Sequence, residues 1–278
     1  MIVWLDGSLL PLDDARVSVL DHGLVVGDGI FETLRVYRGE PFAWRRHFER
    51  LRASADGLGL SVPSEAVLKS AALDVLRVNA LTDARLRVTV TGGVAPPGSH
   101  RPDVPVTAFV VAVPLEPVAE SAEVVVVPWT RNERGATAGL KTISYAENVR
   151  ALAYAETRGG NEAAFANTRG MLCEATGSNV FLARGNALLT PPPSAGCLLG
   201  VTRALILELC SSLGIDVAER DVEINALREA DEAFLSSTTR EVQAIARVDG
   251  LALRAAPGPL TEKLARAFRD LVARDLDP

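Results

Sequence analysis

Between Ile30 and Leu58 the hydrophobic period of this chain changes, which excludes an all-helical fold and an all-strand one. Over Ile30–Tyr37, Phe31, Thr33, Arg35 and Tyr37 fall on one side, and Ile30, Glu32, Leu34 and Val36 on the other. That period of two belongs to a strand. From Trp44 the period lengthens: Phe48, Leu51, Ala55 and Leu58 make a helical stripe that Gly57 and Gly59 stop. Before this switch, Ile2–Leu5 and a return from Leu9 flank the hairpin turn Asp6-Gly7. After it, Ser64 caps a second helix with Val67, Leu68, Ala71, Ala72 and Leu76 inward, and Arg85–Thr91 and Val106–Val113 read as strands. The first unit is therefore strand, strand, helix, helix, strand, strand.

Pro114–Ala122 reads as a linker, so the expected domains are 1–117 and 118–278. The second opens with the strand Glu123–Val127, which Pro128 ends. A helix, Tyr145–Thr157, precedes short strands at Ala163–Asn167, Met171–Glu174, Asn179–Ala183 and Ala187–Thr190, the last two joined by the turn Arg184-Gly185-Asn186. Gly200 opens a helix to Leu213, and Leu260–Val272 is a terminal helix. Ile215–Ala218, Ala233–Ser236, Val242–Val248 and Leu251–Arg254 are further strands, with a short helix near Asn225–Ala230.

An apolar content of 48% supports a real core. Net charge is −6 and no Lys/Arg block stands out, which sets nucleic acid aside as a partner. No apolar run approaches membrane-spanning length, and the N-terminus lacks the pattern of a signal peptide. Cys173, Cys197 and Cys210 fit a reduced cytoplasm, and no pair has zinc-type spacing, so no metal is expected.

Lysine is nearly absent. Of 29 basic residues only Lys69, Lys141 and Lys263 are lysines. Arginine stays protonated, whereas a lysine can lose its proton and attack a carbonyl. Lys69 and Lys263 sit in amphipathic helix patterns, while Lys141 stands between a Gly-rich turn and an apolar stretch. It is either a solvated surface lysine or a chemical one. Four other segments carry similar pairs of readings. The helix start Gly200-Val201-Thr202 is a phosphate site or a helix capped by Thr202. The run Ser236-Ser237-Thr238-Thr239 presents hydroxyls to an anion or is a polar turn. Glu174, among apolar and small residues, is a buried acid for a protonated heterocycle or an exposed edge residue. Arg50, beside the apolar stripe, reaches inward or is solvated. Together these groups match what pyridoxal 5′-phosphate (PLP) requires: a lysine, an acid for the ring nitrogen and an anion cradle.

The order of six stretches resembles the class IV aminotransferases, fold-type IV PLP enzymes. They are Asp21–Thr33, His47–Leu51, Lys141–Tyr145, Glu174–Phe181, Gly200–Arg203 and Ser236–Val242. The resemblance implies an α+β fold: a smaller N-terminal α/β sandwich, a larger C-terminal pseudo-barrel domain carrying the Schiff-base lysine, PLP between them, and a homodimer. It implies that Lys141 is catalytic and that Arg50, Lys141, Tyr145, Glu174, Leu198, Val201, Thr202, Thr238 and Thr239 hold the cofactor. Arg50, Val201, Thr202 and the Thr238-Thr239 turn would meet the phosphate, and Glu174 the ring nitrogen. Phe31, Arg87 and Thr239 would contact substrate. In the loop Thr91–Arg101 the Arg-x-His pair typical of D-amino-acid transaminases is missing, with Pro97 at the arginine's place. The substrate carboxylate then falls to Arg101 or to another group, with Arg87 a candidate. The turn Ser236–Val242 looks most like D-amino-acid transaminases. The expected reaction is transamination between an amino acid (D-amino acids favoured, R-amines tolerated) and a 2-keto acid. The alternatives are a 4-amino-4-deoxychorismate lyase, which releases pyruvate and 4-aminobenzoate, and, behind it, a branched-chain L-amino-acid aminotransferase.

Overall fold

The N-terminal hairpin forms where its turn residues allow. β1 (Ile2–Leu5) and β2 (Ser8–Pro11) pair antiparallel across Asp6 and Gly7, at φ 45° and 94°. The structure, a computed structural model, describes residues 1–185 and 187–278, so Asn186 of the expected turn lies outside the described residues. A five-residue helix that the periodicity did not reveal, α1 (His22–Val26), is capped by Asp21 and leads to β3 (Gly29–Tyr37) and β4 (Glu40–Pro41). Then come α2 (Trp44–Leu58), α3 (Glu65–Val78), β5 (Asp83–Thr91) and β6 (Thr107–Pro114). Gly59 ends α2 in the left-handed conformation that favours glycine. Among the described residues the strands form one sheet in the order β2-β1-β6-β5-β3-β4. Ile30, Leu34 and Val36 of β3 pack with Leu51 and Ala55 of α2 and Leu68, Ala71, Ala72 and Val75 of α3. Val67, expected inward, is exposed: it lies off the stripe that Leu68, Ala72 and Val75 present to the sheet.

The second unit opens with β7 (Ser121–Arg131). Pro128 does not end this strand as expected. The β7 register shifts between Val126 and Thr130, so the proline sits in the irregular stretch, where no ladder donor is required, and pairing resumes at Thr130 and Arg131. α4 (Ala146–Glu156) follows, then β8 (Glu162–Asn167), β9 (Leu172–Ala175), β10 (Asn179–Arg184) and β11 (Ala187–Thr190). α5 (Val201–Leu213), β12 (Val217–Glu219), β13 (Glu232–Ser237), β14 (Glu241–Val248), β15 (Leu251–Ala252) and α6 (Pro259–Arg274) complete it. Residues Ile224–Leu227 form a 3₁₀ turn. The strands run β12-β11-β10-β13-β14-β7-β8-β9 in a curled half-barrel sheet, with β15 on β14. Val125 and Val127 of β7 and Ala163 and Phe165 of β8 bury one face against Ala151 and Ala155 of α4.

The chain divides into two compact units, Met1–Glu116 with 140–144 and 275–278, and 117–139 with 145–274. The lysine segment clusters with the first unit because its backbone bonds to β3, although the chain on both sides of it belongs to the second. The last residues also return to the first unit: Ala43 N–H donates to the Leu276 carbonyl at 2.7 Å. No helix among the described residues is long and apolar enough to cross a membrane.

Candidate active site

Lys141 is held by its main chain on both sides. Its carbonyl accepts from Phe31 N–H at 3.1 Å, and its N–H donates to Ser54 Oγ at 3.1 Å. Ile143 N–H adds a bond to the Gly29 carbonyl at 2.9 Å. Gly29 has to be glycine here, since a Cβ would meet Ile143 Cδ1 and the Val90 carbonyl at 2.8 Å. The lysine Nζ lies 4.5 Å from the centre of the buried Phe31 ring. Arg87 of β5 lays its guanidinium on the same ring at 3.8 Å, with Nε donating to Thr89 Oγ1 at 3.1 Å. Three expected residues thus meet around one aromatic ring.

On the opposite face of β3, Glu32 is buried. Arg50 donates to both of its oxygens, Nε to Oε1 and Nη2 to Oε2, each at 2.7 Å, and His47 Nδ1 stands 2.7 Å from Oε2. Burial alone would raise the Glu32 carboxyl. The Arg50 charge and hydrogen bonds, with those of His47, outweigh it and hold the group far below the usual carboxylate range. His47 is also pushed down, first by burial and further by Arg50 and Lys141, against the pull of Glu32. A neutral His47 donates from Nδ1 to Glu32. Arg50 therefore does reach inward, with one edge of its fork committed to Glu32. Neither Glu32 nor His47 was foreseen as its holder. The signal was present in Glu32, a carboxylate on the apolar side of its strand.

Arg101, one of the two routes left for the substrate carboxylate, is a structural tie. Its Nη1 grips both oxygens of Asp28 at 2.8 and 3.0 Å, and its Nη2 donates to the Leu58 and Gly59 carbonyls. It fastens its loop to the end of α2 and is spent there.

The second unit gathers the other expected groups. Glu174 of β9 is half-buried, and its Oε2 accepts from Leu198 N–H at 2.9 Å. Asn179 Nδ2 donates to the Leu198 carbonyl at 2.8 Å, so this segment is strung between β9 and β10. It feeds Gly200, the N-cap of α5, where a Cβ would collide with Asn179 Oδ1. Among the described residues no side chain caps α5: Thr202, read as its possible cap, is buried without that bond. Ser236 pairs with Asn179 across β13 and β10. The hydroxyls of Ser236 and Ser178 are buried without a hydrogen-bond partner among the described residues. Thr238 and Thr239 lie half-buried in the β13–β14 turn, where Arg240 N–H donates to Ser237 Oγ at 3.3 Å. Tyr145 is the half-buried N-cap residue of α4. A second group missed in the sequence is Arg131, whose Nε stands 3.6 Å from Glu174 Oε1.

Comparison with known proteins agrees with this chemistry. The family model "Amino-transferase class IV" matches residues 29–248. A D-alanine aminotransferase of Bacillus licheniformis is 32% identical over 277 residues, covering 98% of this chain and 97% of its own. The branched-chain-amino-acid aminotransferase of Salmonella typhimurium is 32% identical over 282 residues, covering 96% and 91%. Among solved structures, that of the Escherichia coli branched-chain amino acid aminotransferase matches at a TM-score of 0.92 and 30% identity, over 97% of this chain and 94% of its own. With an anchored lysine, a held carboxylate and a family match over most of its length, this chain belongs to the class IV aminotransferases, PLP-dependent enzymes.

Proposed function

We propose that this aminotransferase moves an amino group between an amino acid and a 2-keto acid, with D-amino acids the favoured donors and R-amines tolerated. The observation that carries the reading is the shared ring of Phe31, with the Lys141 amine at 4.5 Å and the Arg87 guanidinium at 3.8 Å. A reactive amine beside a planar carboxylate receptor is what an amino-acid substrate needs. Arg87 binds the substrate carboxylate in this reading, and Thr239 and Phe31 contact the rest of the substrate. The preference for D-amino acids rests on the hydroxyl turn Ser236–Val242, the relatives being balanced between a D-alanine and a branched-chain enzyme at the same 32%.

The residues present fit PLP. Ser178 precedes Asn179 and Ser236 pairs with it, and Asn179 lies against Gly200 at the start of α5. Among the described residues the two buried serine hydroxyls find no hydrogen-bond partner, and with the helix start they offer donors suited to a phosphate. In this reading Arg50, Val201, Thr202, Thr238 and Thr239 would hold the phosphate, Tyr145 and Leu198 would contact the ring, and Glu174 would take its nitrogen. When bound, the cofactor supplies an electron sink for the carbanion at the substrate Cα. Lys141 Nζ anchors it and moves the proton at that Cα.

A homodimer also belongs to this reading. Val19 and Leu24 are 78% and 68% exposed, among further exposed apolar residues Val17, Leu20, Val25 and Val26, and a β-bridge between Asp21 and Val94 adds Val94 to the patch. Exposed apolar patches of this kind mark association surfaces.

The test is the bound cofactor's visible absorbance band after adding D-alanine or L-leucine without an acceptor. Bleaching by D-alanine and not by L-leucine is expected. Bleaching by L-leucine alone would move the assignment to the branched-chain type. Silence with both would move it to the lyase that releases pyruvate and 4-aminobenzoate.

A further inference from the structure

Arg131 stands at the end of β7, past the irregular stretch at Pro128, where it pairs with Asn167 of β8. Further along the same sheet, Phe165 of β8 faces Glu174 of β9. Arg131 crosses this face with its guanidinium 4.3 Å over the Phe165 ring. Two of its nitrogens are anchored to α4, Nη1 to Glu147 Oε2 at 3.1 Å and Nη2 to Asn148 Oδ1 at 3.0 Å. Asn148 is itself buried and bonds the Thr176 carbonyl. The third nitrogen, Nε, is buried, has no hydrogen-bond partner among the described residues, and stands 3.6 Å from Glu174 Oε1. The other oxygen of Glu174 is already held by Leu198 N–H. A guanidinium fixed at two corners, with its third donor beside a half-buried carboxylate, is a device for holding that carboxylate charged and turned one way.

We propose that Arg131 is a positioning residue for Glu174, keeping its carboxylate ionised and aligned for the protonated ring nitrogen of PLP. This rests on the reading of Glu174 given above. It explains why β7 continues past a proline: a strand that stopped at Val127 would leave the guanidinium short of β9. It also explains a half-buried arginine over an aromatic ring beside a carboxylate that lies two strands away.

The test uses the holoenzyme and four variants, R131M, R131K, E174Q and R131M/E174Q, each checked for its fold by circular dichroism. Two quantities are read: the rate at which PLP is lost on dialysis, and kcat separately from KM. For R131M, PLP loss speeds up and kcat falls, each by about tenfold, the scale of one charge-assisted contact, with KM within about twofold. R131K, which keeps the charge, recovers part of both. In the E174Q background R131M adds nothing further. If R131M folds and holds PLP and kcat within about twofold of the parent, the proposal fails while the Glu174 reading stands. If R131M costs as much with E174Q as without it, Arg131 acts by another route and the proposal also fails. If E174Q alone changes neither quantity, the reading of Glu174 itself is wrong, and the proposal falls with it. Should R131M not fold, R131Q, which removes the charge and keeps an amide donor, is made in its place: a loss that R131K partly recovers supports the proposal, and PLP retention and kcat within about twofold of the parent overturn it.

Discussion

At the scale of residues, the chemistry depends on a few groups whose partners fix their state. Lys141 has main-chain bonds on both sides, so removing its side chain leaves the segment in place. Lys141→Ala is expected to fold, as judged by circular dichroism, and to lose more than about 10³-fold in kcat, since anchoring and proton transfer go together. Appreciable turnover in that variant would remove Lys141 from the mechanism. The Glu32–His47–Arg50 cluster gives a pH signature. Both Glu32 and His47 have folded-state values below their ordinary 4.5 and 6.5. The unfolded chain therefore binds more protons as pH falls, and stability present above pH 6.5 is lost below it, first through His47 and then, below 4.5, through Glu32. His47→Gln is expected to flatten the fall of Tm between about pH 6.5 and 5, and an unchanged slope would show that His47 carries none of it.

At the scale of elements, helix ends and strand irregularities decide where side chains point. α6 begins on Glu232, a buried carboxylate that accepts from Leu260 N–H at 3.0 Å, Thr261 N–H at 2.9 Å and Thr261 Oγ1 at 2.7 Å. It neutralises the donor-rich start of the helix. Glu232→Ala strands those donors and is expected to cost about 1–3 kcal/mol in urea unfolding, whereas Glu232→Gln keeps acceptors and costs less. Equal losses would mean that charge rather than hydrogen bonding holds the end of α6. The start of α5 is the contrary case: among the described residues no side chain caps it, and its glycine lets Asn179 approach. In the proposed reading this open helix start receives the cofactor phosphate, as helix N-termini receive anions.

At the scale of the whole molecule, the exposed apolar residues around α1 make a second copy the expected partner. Leu24→Asp places a charge in that patch and is expected to convert a dimer into a monomer in sedimentation velocity without changing the circular dichroism. A parent protein that sediments as a monomer would refute the dimer directly. The sequence by itself determined most of the elements, though not α1 or the far end of β7, and the class of the chemistry. Strand alternation over Ile30–Tyr37, the helical stripe from Trp44, the N-cap at Ser64 and the glycine stops all act through neighbours a few residues away, so they are legible in order along the chain. Lys141, Glu174 and the start of α5 stand out as candidates for the same reason, because their local contexts are unusual. Tertiary structure alone decided which groups hold which. Glu32 meets Arg50 across 18 residues and Glu174 meets Leu198 across 24. Arg131 reaches Glu174 only because β7 resumes pairing after Pro128, and Lys141 joins the first unit only through bonds to β3. Those pairings depend on desolvation and on donors brought together by sheet register, and neither leaves a period in the sequence.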